Sequence, residues 1–148
     1  MQQKQPRPSS PGTDAGIDED LIAKLVDRFY ASVRQDALIG PVFEARVEDW
    51  DAHLTKLTAF WSSVVLKSGR YRGSPMPVHV AINEISSNHF ARWLQLFAET
   101  ARDVCPPAAA ALFIDRSQRI AESLQLGISL HRGDGVAFES PRRVPRPA

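Results

Sequence analysis

Four stretches of this chain space their apolar residues at i, i+3, i+4 and i+7, and none pairs convincingly as a strand. "DEDLIAKLVDRFYASVRQD" opens on three acids, as the positive end of a helix favours, and carries Ile22, Leu25, Val26, Phe29 and Val33 on one face. "WDAHLTKLTAFWSSVVLKS" repeats the pattern with Trp50, Leu54, Leu57, Phe60, Trp61 and Val64, after which Gly69 is a natural stop. "SSNHFARWLQLFAETARDV" has a serine cap and a stripe of Phe90, Trp93, Leu94, Phe97, Ala101 and Val104. "PPAAAALFIDRSQRIAESLQLG" starts on proline, which the first helical turn tolerates, and runs through Leu112, Phe113, Ile120 and Leu124 to Gly127. Residues 41–46 add a short helical piece. The fold class is all-α, with one long non-helical stretch over residues 68–83.

At 148 residues the chain has room for one domain with a real core. Its ends differ from the middle: they hold six of the eleven prolines and almost no apolar period. Residues 1–16 read as a disordered tail, 17–127 as one folded domain, and 128–148 as a second tail containing Pro and Arg. Charge divides the same way. The chain is +1, whereas twelve Lys/Arg against fourteen Asp/Glu make residues 18–127 net −2. No basic cluster lies on the folded part, so nucleic acid is not expected as a partner. "RRVPR" near the C-terminus reads as a solubilising tail, and the "RGD" before it as chance.

Cys105 is the single cysteine, which excludes an internal disulfide and any CxxC site. No apolar run approaches the ~18 residues of a spanning helix, and the polar, proline-rich start has no signal-peptide core. A soluble, cytoplasmic protein with no membrane partner is expected.

Long loops in compact domains are usually functional or disordered, and residues 68–83 have a definite interior pattern. The loop carries His79 behind Pro75 and Pro77, a rigid setting for an imidazole. On the second helix, His53 lies about 60° from Trp50 and about 40° from Leu57 around the axis, at the edge of the buried stripe. Tyr30 sits at the edge of the first stripe, and Trp93 lies on the third. Each of these polar-tipped groups alone reads most simply as a packing residue. Together they need either four separate buried hydrogen bonds or one shared cavity with something polar in it, and the second is more economical. The histidines have no close ligand pairing along the chain, so zinc fits poorly. One axial histidine, an apolar pocket and a few donors opposite it is what a haem site requires. If all four are packing residues, a helical interaction module remains.

The stretches "LVDRFYASVRQD", "GPVFEA", "WDAHLTKLTAFW", "YRGSPMPVH" and "HFARWLQLF" together resemble the truncated haemoglobins, and within them the third group, over residues 17–127. The absence of paired glycines suits that group. The resemblance implies a two-over-two helical sandwich around one haem b. It implies that His79 is the proximal iron ligand, that Tyr30, His53 and Trp93 face the bound ligand, and that Phe43 lies near the haem edge. Leu57 is expected in the same distal pocket, and Phe60 and Met76 against the haem. Lys56, with Arg70 or Arg72 as rivals, is expected near a haem propionate.

The implied function is reversible binding of dioxygen, with nitric oxide and carbon monoxide as related ligands. Donors from Tyr30 and Trp93 would each stabilise a partly charged ligand by about 1–3 kcal/mol, enough together to slow release by roughly tenfold to several thousandfold. A chain that holds oxygen so firmly also suits redox chemistry on the ligand: nitric-oxide dioxygenation, peroxidase-like turnover or electron transfer. No flavin or nicotinamide domain is visible, so turnover would need an external reductase.

Overall fold

The structure is a computed structural model that describes residues 10–75, 77, 79, 81–82 and 85–132. Helix α1 spans Pro11–Asp14, α2 Glu19–Gln35, α3 Gly40–Glu44, α4 Trp50–Leu66, α5 Ser87–Val104 and α6 Pro107–Arg132. No strand forms among the described residues, and none of their helices is long and apolar enough to cross a membrane.

Local chemistry sets the starts. Asp18 caps α2 by accepting from the Leu21 N–H, and Asp49 caps α4 by accepting from the Ala52 N–H. Helix α4 ends three residues before the expected glycine stop, because Lys67 takes the left-handed conformation (φ 56°).

Helix α2 packs on α4, α5 packs on α6, and the two pairs meet chiefly through α2 on α5. This is the two-over-two arrangement of a globin fold. The five apolar residues read from the first stripe are all buried in the core. Trp61 and Trp93 stack on Phe97 with ring centroids 5.0 and 5.2 Å away, and Phe29 meets Phe97 and Trp93 edge-on. Fully buried side chains of this size each stabilise the fold by roughly 1.5–3 kcal/mol. A second cluster of Ile82, Ile85, Phe90, Ala121, Leu124 and Ile128 stands apart from this core.

Three boundaries differ from the sequence expectation. Ser10 is buried and caps α1, and a Cβ on Gly12 would collide with the Val65 carbonyl, so residues 10–16 belong to the folded unit. Helix α6 runs through Gly127 to Arg132, because the fully buried Ile128 offsets the cost of roughly 1 kcal/mol for a glycine within a helix. Residues 1–9 and 133–148 of the expected tails lie outside the described residues. The loop expected to lack helix carries a turn at His79, whose N–H donates to the Pro75 carbonyl (3.3 Å), followed by Ala81 to Pro77 (3.2 Å).

Asp36 ties α2 to α5. Its carboxylate accepts from the Leu38 and Ile39 N–H groups at 3.0 Å and from Arg92 Nε at 2.7 Å, with its side chain 5% exposed. The Ile39 N–H, then the Arg92 guanidinium and the Leu38 N–H, hold the carboxyl below its usual range against the opposing effect of burial. A carboxyl lowered in the folded state contributes stability above its unfolded value, and that contribution is lost as pH falls through the folded one. Asp36→Asn is expected to lower urea stability at pH 7 by about 1.5–3 kcal/mol, with the deficit shrinking below pH ~4. A deficit constant with pH would show that the carboxylate's charge is not what stabilises this joint.

Candidate functional site

A cavity of about 530 Å³ opens between the two apolar clusters, a size typical of small-molecule and cofactor sites. Helix α2 contributes Tyr30, and α3 contributes Val42 and Phe43. Helix α4 contributes Ala52, His53, Lys56, Leu57, Phe60 and Trp61. The loop after α4 adds Tyr71, Pro75, His79, Ile82 and Ile85, α5 adds His89, Phe90 and Trp93, and α6 adds Ile120, Ala121 and Leu124. Trp50, Leu54, Leu57, Phe60 and Val64 are only partly buried, and of these Leu57 and Phe60 line the cavity.

His79 is fixed through its own turn. Its Nδ1 lies 2.7 Å from the Pro75 carbonyl, the same oxygen that receives its backbone N–H. A carbonyl only accepts, so Nδ1 carries the proton and Nε2 of the neutral ring keeps its lone pair. A backbone carbonyl behind the far nitrogen is the usual support of a metal-ligating histidine, setting both tautomer and ring orientation.

Tyr30 is buried, and the Trp93 indole N–H lies on the wall of the same cavity. Stacking on Phe97 and the edge of Phe29 fix the indole plane, and with it the direction of that N–H. Burial pushes the Tyr30 hydroxyl well above its ordinary value, outweighing the opposite effect of the Trp93 bond, so it stays a proton-bearing donor. His53 meets the Tyr30 ring edge-on, 6.0 Å between centroids. Burial, then the charge of Lys56, holds its imidazole below the usual range. Its Nε2 is buried with no hydrogen-bond partner among the described residues.

These features fit a haem. They supply one imidazole lone pair, a phenolic donor, an unsatisfied His53 nitrogen and a largely apolar enclosure for a flat macrocycle. A bare metal ion fits less well, since no group of three or more potential His, Cys, Asp or Glu ligands gathers among the described residues.

The structure brings Tyr30, Phe43, His53, Lys56, Leu57, Phe60, His79 and Trp93 to this one cavity. It does not bring the two arginines there. Arg70 pairs with Glu19 at the start of α2, which also accepts from Ser62, and this network holds the guanidinium away. Arg72 is exposed and is not part of the cavity wall. Met76 lies outside the described residues. His89 is the residue that sequence reasoning passed over. The signal was available in "SSNH": a serine helix cap followed three residues later by a side chain able to reach back to the cap N–H.

No protein-family model matches the chain. A curated group 3 truncated hemoglobin of Campylobacter jejuni is 33% identical over 113 residues, covering 74% of this chain and 89% of that protein. The crystal structure of a group III truncated hemoglobin from Campylobacter jejuni superposes with a TM-score of 0.70 at 33% identity, with the same coverage of 74% and 89%. The chain belongs to the group III truncated haemoglobins, and that membership implies a haem cofactor.

Proposed function

We propose that the chain holds one haem b through His79 and binds dioxygen reversibly on the opposite face, with nitric oxide and carbon monoxide as alternative ligands. When bound, the haem supplies an iron centre with one open position for a diatomic molecule. His79 offers it the Nε2 lone pair, and the Pro75 carbonyl keeps that lone pair free of a proton. Tyr30 offers its hydroxyl proton to the ligand. Trp93 lines the same cavity, where its indole N–H favours the Tyr30 oxygen against the effect of burial. Lys56, which also lines the cavity, pairs with a haem propionate in this reading.

The observation that carries this reading is one cavity lined by the oriented His79 imidazole, the buried Tyr30 hydroxyl and the Trp93 indole. It favours a ligand retained by a strong donor. Such retention also suits chemistry on the ligand, a second reading that requires electrons from an external reductase. The direct test is oxygenation of the ferrous protein. A stable complex that releases oxygen slowly and returns to the ferrous form under vacuum is expected; immediate oxidation without a complex would overturn the reading.

His53 is a gate and not a permanent ligand. Its neutral ring at the cavity edge can turn toward the ligand or toward water. The ligand-free ferrous protein is expected to be mainly five-coordinate, and His53→Ala to leave that spectrum in place. A dominant six-coordinate low-spin spectrum that His53→Ala abolishes would make His53 an iron ligand.

A further inference from the structure

His89 lines the cavity from the first turn of α5, where its side chain reaches back to the helix cap. The Ser86 backbone N–H donates to His89 Nδ1 at 3.0 Å, and the Ser86 hydroxyl lies 2.9 Å from the same nitrogen. A nitrogen that accepts from a backbone N–H cannot itself carry a proton. His89 is therefore a neutral imidazole whose proton is on Nε2, the opposite tautomer from His79. It cannot take the place of His79 as an iron ligand without giving up its bond to the cap.

That leaves a single N–H donor, and no protein acceptor meets it among the described residues. The described cavity-lining residues nearest it in sequence, Ile82, Ile85 and Phe90, have no side-chain acceptor. His89 is half-buried. A donor so placed is open to an acceptor that arrives with the occupant. Haem brings two carboxylates, and the cavity wall carries the cations Arg46 and Lys56 as well as the His89 N–H.

We propose that His89 donates its Nε2–H to one carboxylate of the bound haem. The inference rests on the haem reading and adds an anchor on α5. The cap bond from Ser86 holds the ring in place, so the donor is oriented before the haem enters and little rotamer freedom is lost on binding.

The test removes the donor and the acceptor independently. Wild-type, His89→Phe and His89→Gln holoproteins are prepared with haem and with haem dimethyl ester, which lacks both carboxylates. Transfer to excess apomyoglobin gives the rate of haem loss. With haem, His89→Phe is expected to lose it about three- to tenfold faster than wild type, the value of one net hydrogen bond, while His89→Gln, which keeps an N–H donor, recovers part of the difference. With the dimethyl ester, wild type and His89→Phe are expected to release at the same rate. A purely structural role through the Ser86 cap would act on both macrocycles alike. Equal acceleration with haem and with its ester, or no acceleration with haem, would overturn the proposal while leaving His79 as the iron ligand. Failure of the wild-type chain to take up either macrocycle would instead overturn the haem reading, and this proposal with it.

Discussion

His79→Ala is expected to cost the protein nearly all of its haem, leaving a folded chain that takes up the cofactor loosely and loses it on gel filtration. The Pro75 carbonyl holds the His79 Nδ1 proton, so Nε2 is the nitrogen available to iron. Of the other histidines on the cavity wall, His89 is in the wrong tautomer and His53 stands on α4 with Tyr30 against its ring. Neither replaces His79 without rearrangement. Added imidazole is expected to restore a five-coordinate ferrous spectrum in His79→Ala, because the substitution leaves room for a free ring. Normal haem content in that variant, with an unchanged iron–histidine stretching band, would remove His79 from the site.

The second large effect concerns ligand release. Tyr30→Phe keeps the ring that packs against Phe29 and Phe43 and deletes the hydroxyl. Oxygen release is expected to accelerate about tenfold or more, as for loss of a bond of at least about 1.4 kcal/mol. Trp93→Phe is expected to accelerate release by less, because the indole N–H acts through the Tyr30 oxygen. Two groups in one hydrogen-bonded chain do not add: the double variant is expected to match Tyr30→Phe alone. Carbon monoxide, with less charge on its outer atom, should respond less than oxygen. Stopped-flow release of both gases checks each point, and equal effects on the two would mean that these side chains act by bulk.

Much of this arrangement was legible before any coordinates, and for identifiable reasons. The start of α2 was legible in its three leading acids, of which Asp18 is the cap. Ends were read less well. Gly127 looked like a stop, but a glycine yields to burial when the residue beyond it is as deep as Ile128. The α1 turn was invisible because four residues are too few to show a period, and Gly12 was chosen for its close approach to the α4 backbone. Tyr30, His53, Trp93 and His79 stood out because polar-tipped groups on apolar faces need a reason.

Other features depend on partners far apart in sequence. That Arg70 is held by Glu19, 51 positions away, is set by how α2 lies against the end of α4. The direction of the Trp93 indole depends on its stack over Phe97. The role of His89 required the side-chain geometry at the α5 cap, although its spacing from Ser86 was present in the sequence.

The most direct test of the central claim, a single haem held by this cavity, is the absorption spectrum of the full chain. It is recorded after haem addition and removal of excess, first oxidised, then reduced, then reduced under carbon monoxide. One haem per chain is expected, with a Soret band that sharpens and shifts on reduction under carbon monoxide as for a histidine-bound ferrous haem. A chain that emerges folded, with no Soret band and no response to carbon monoxide, would contradict it.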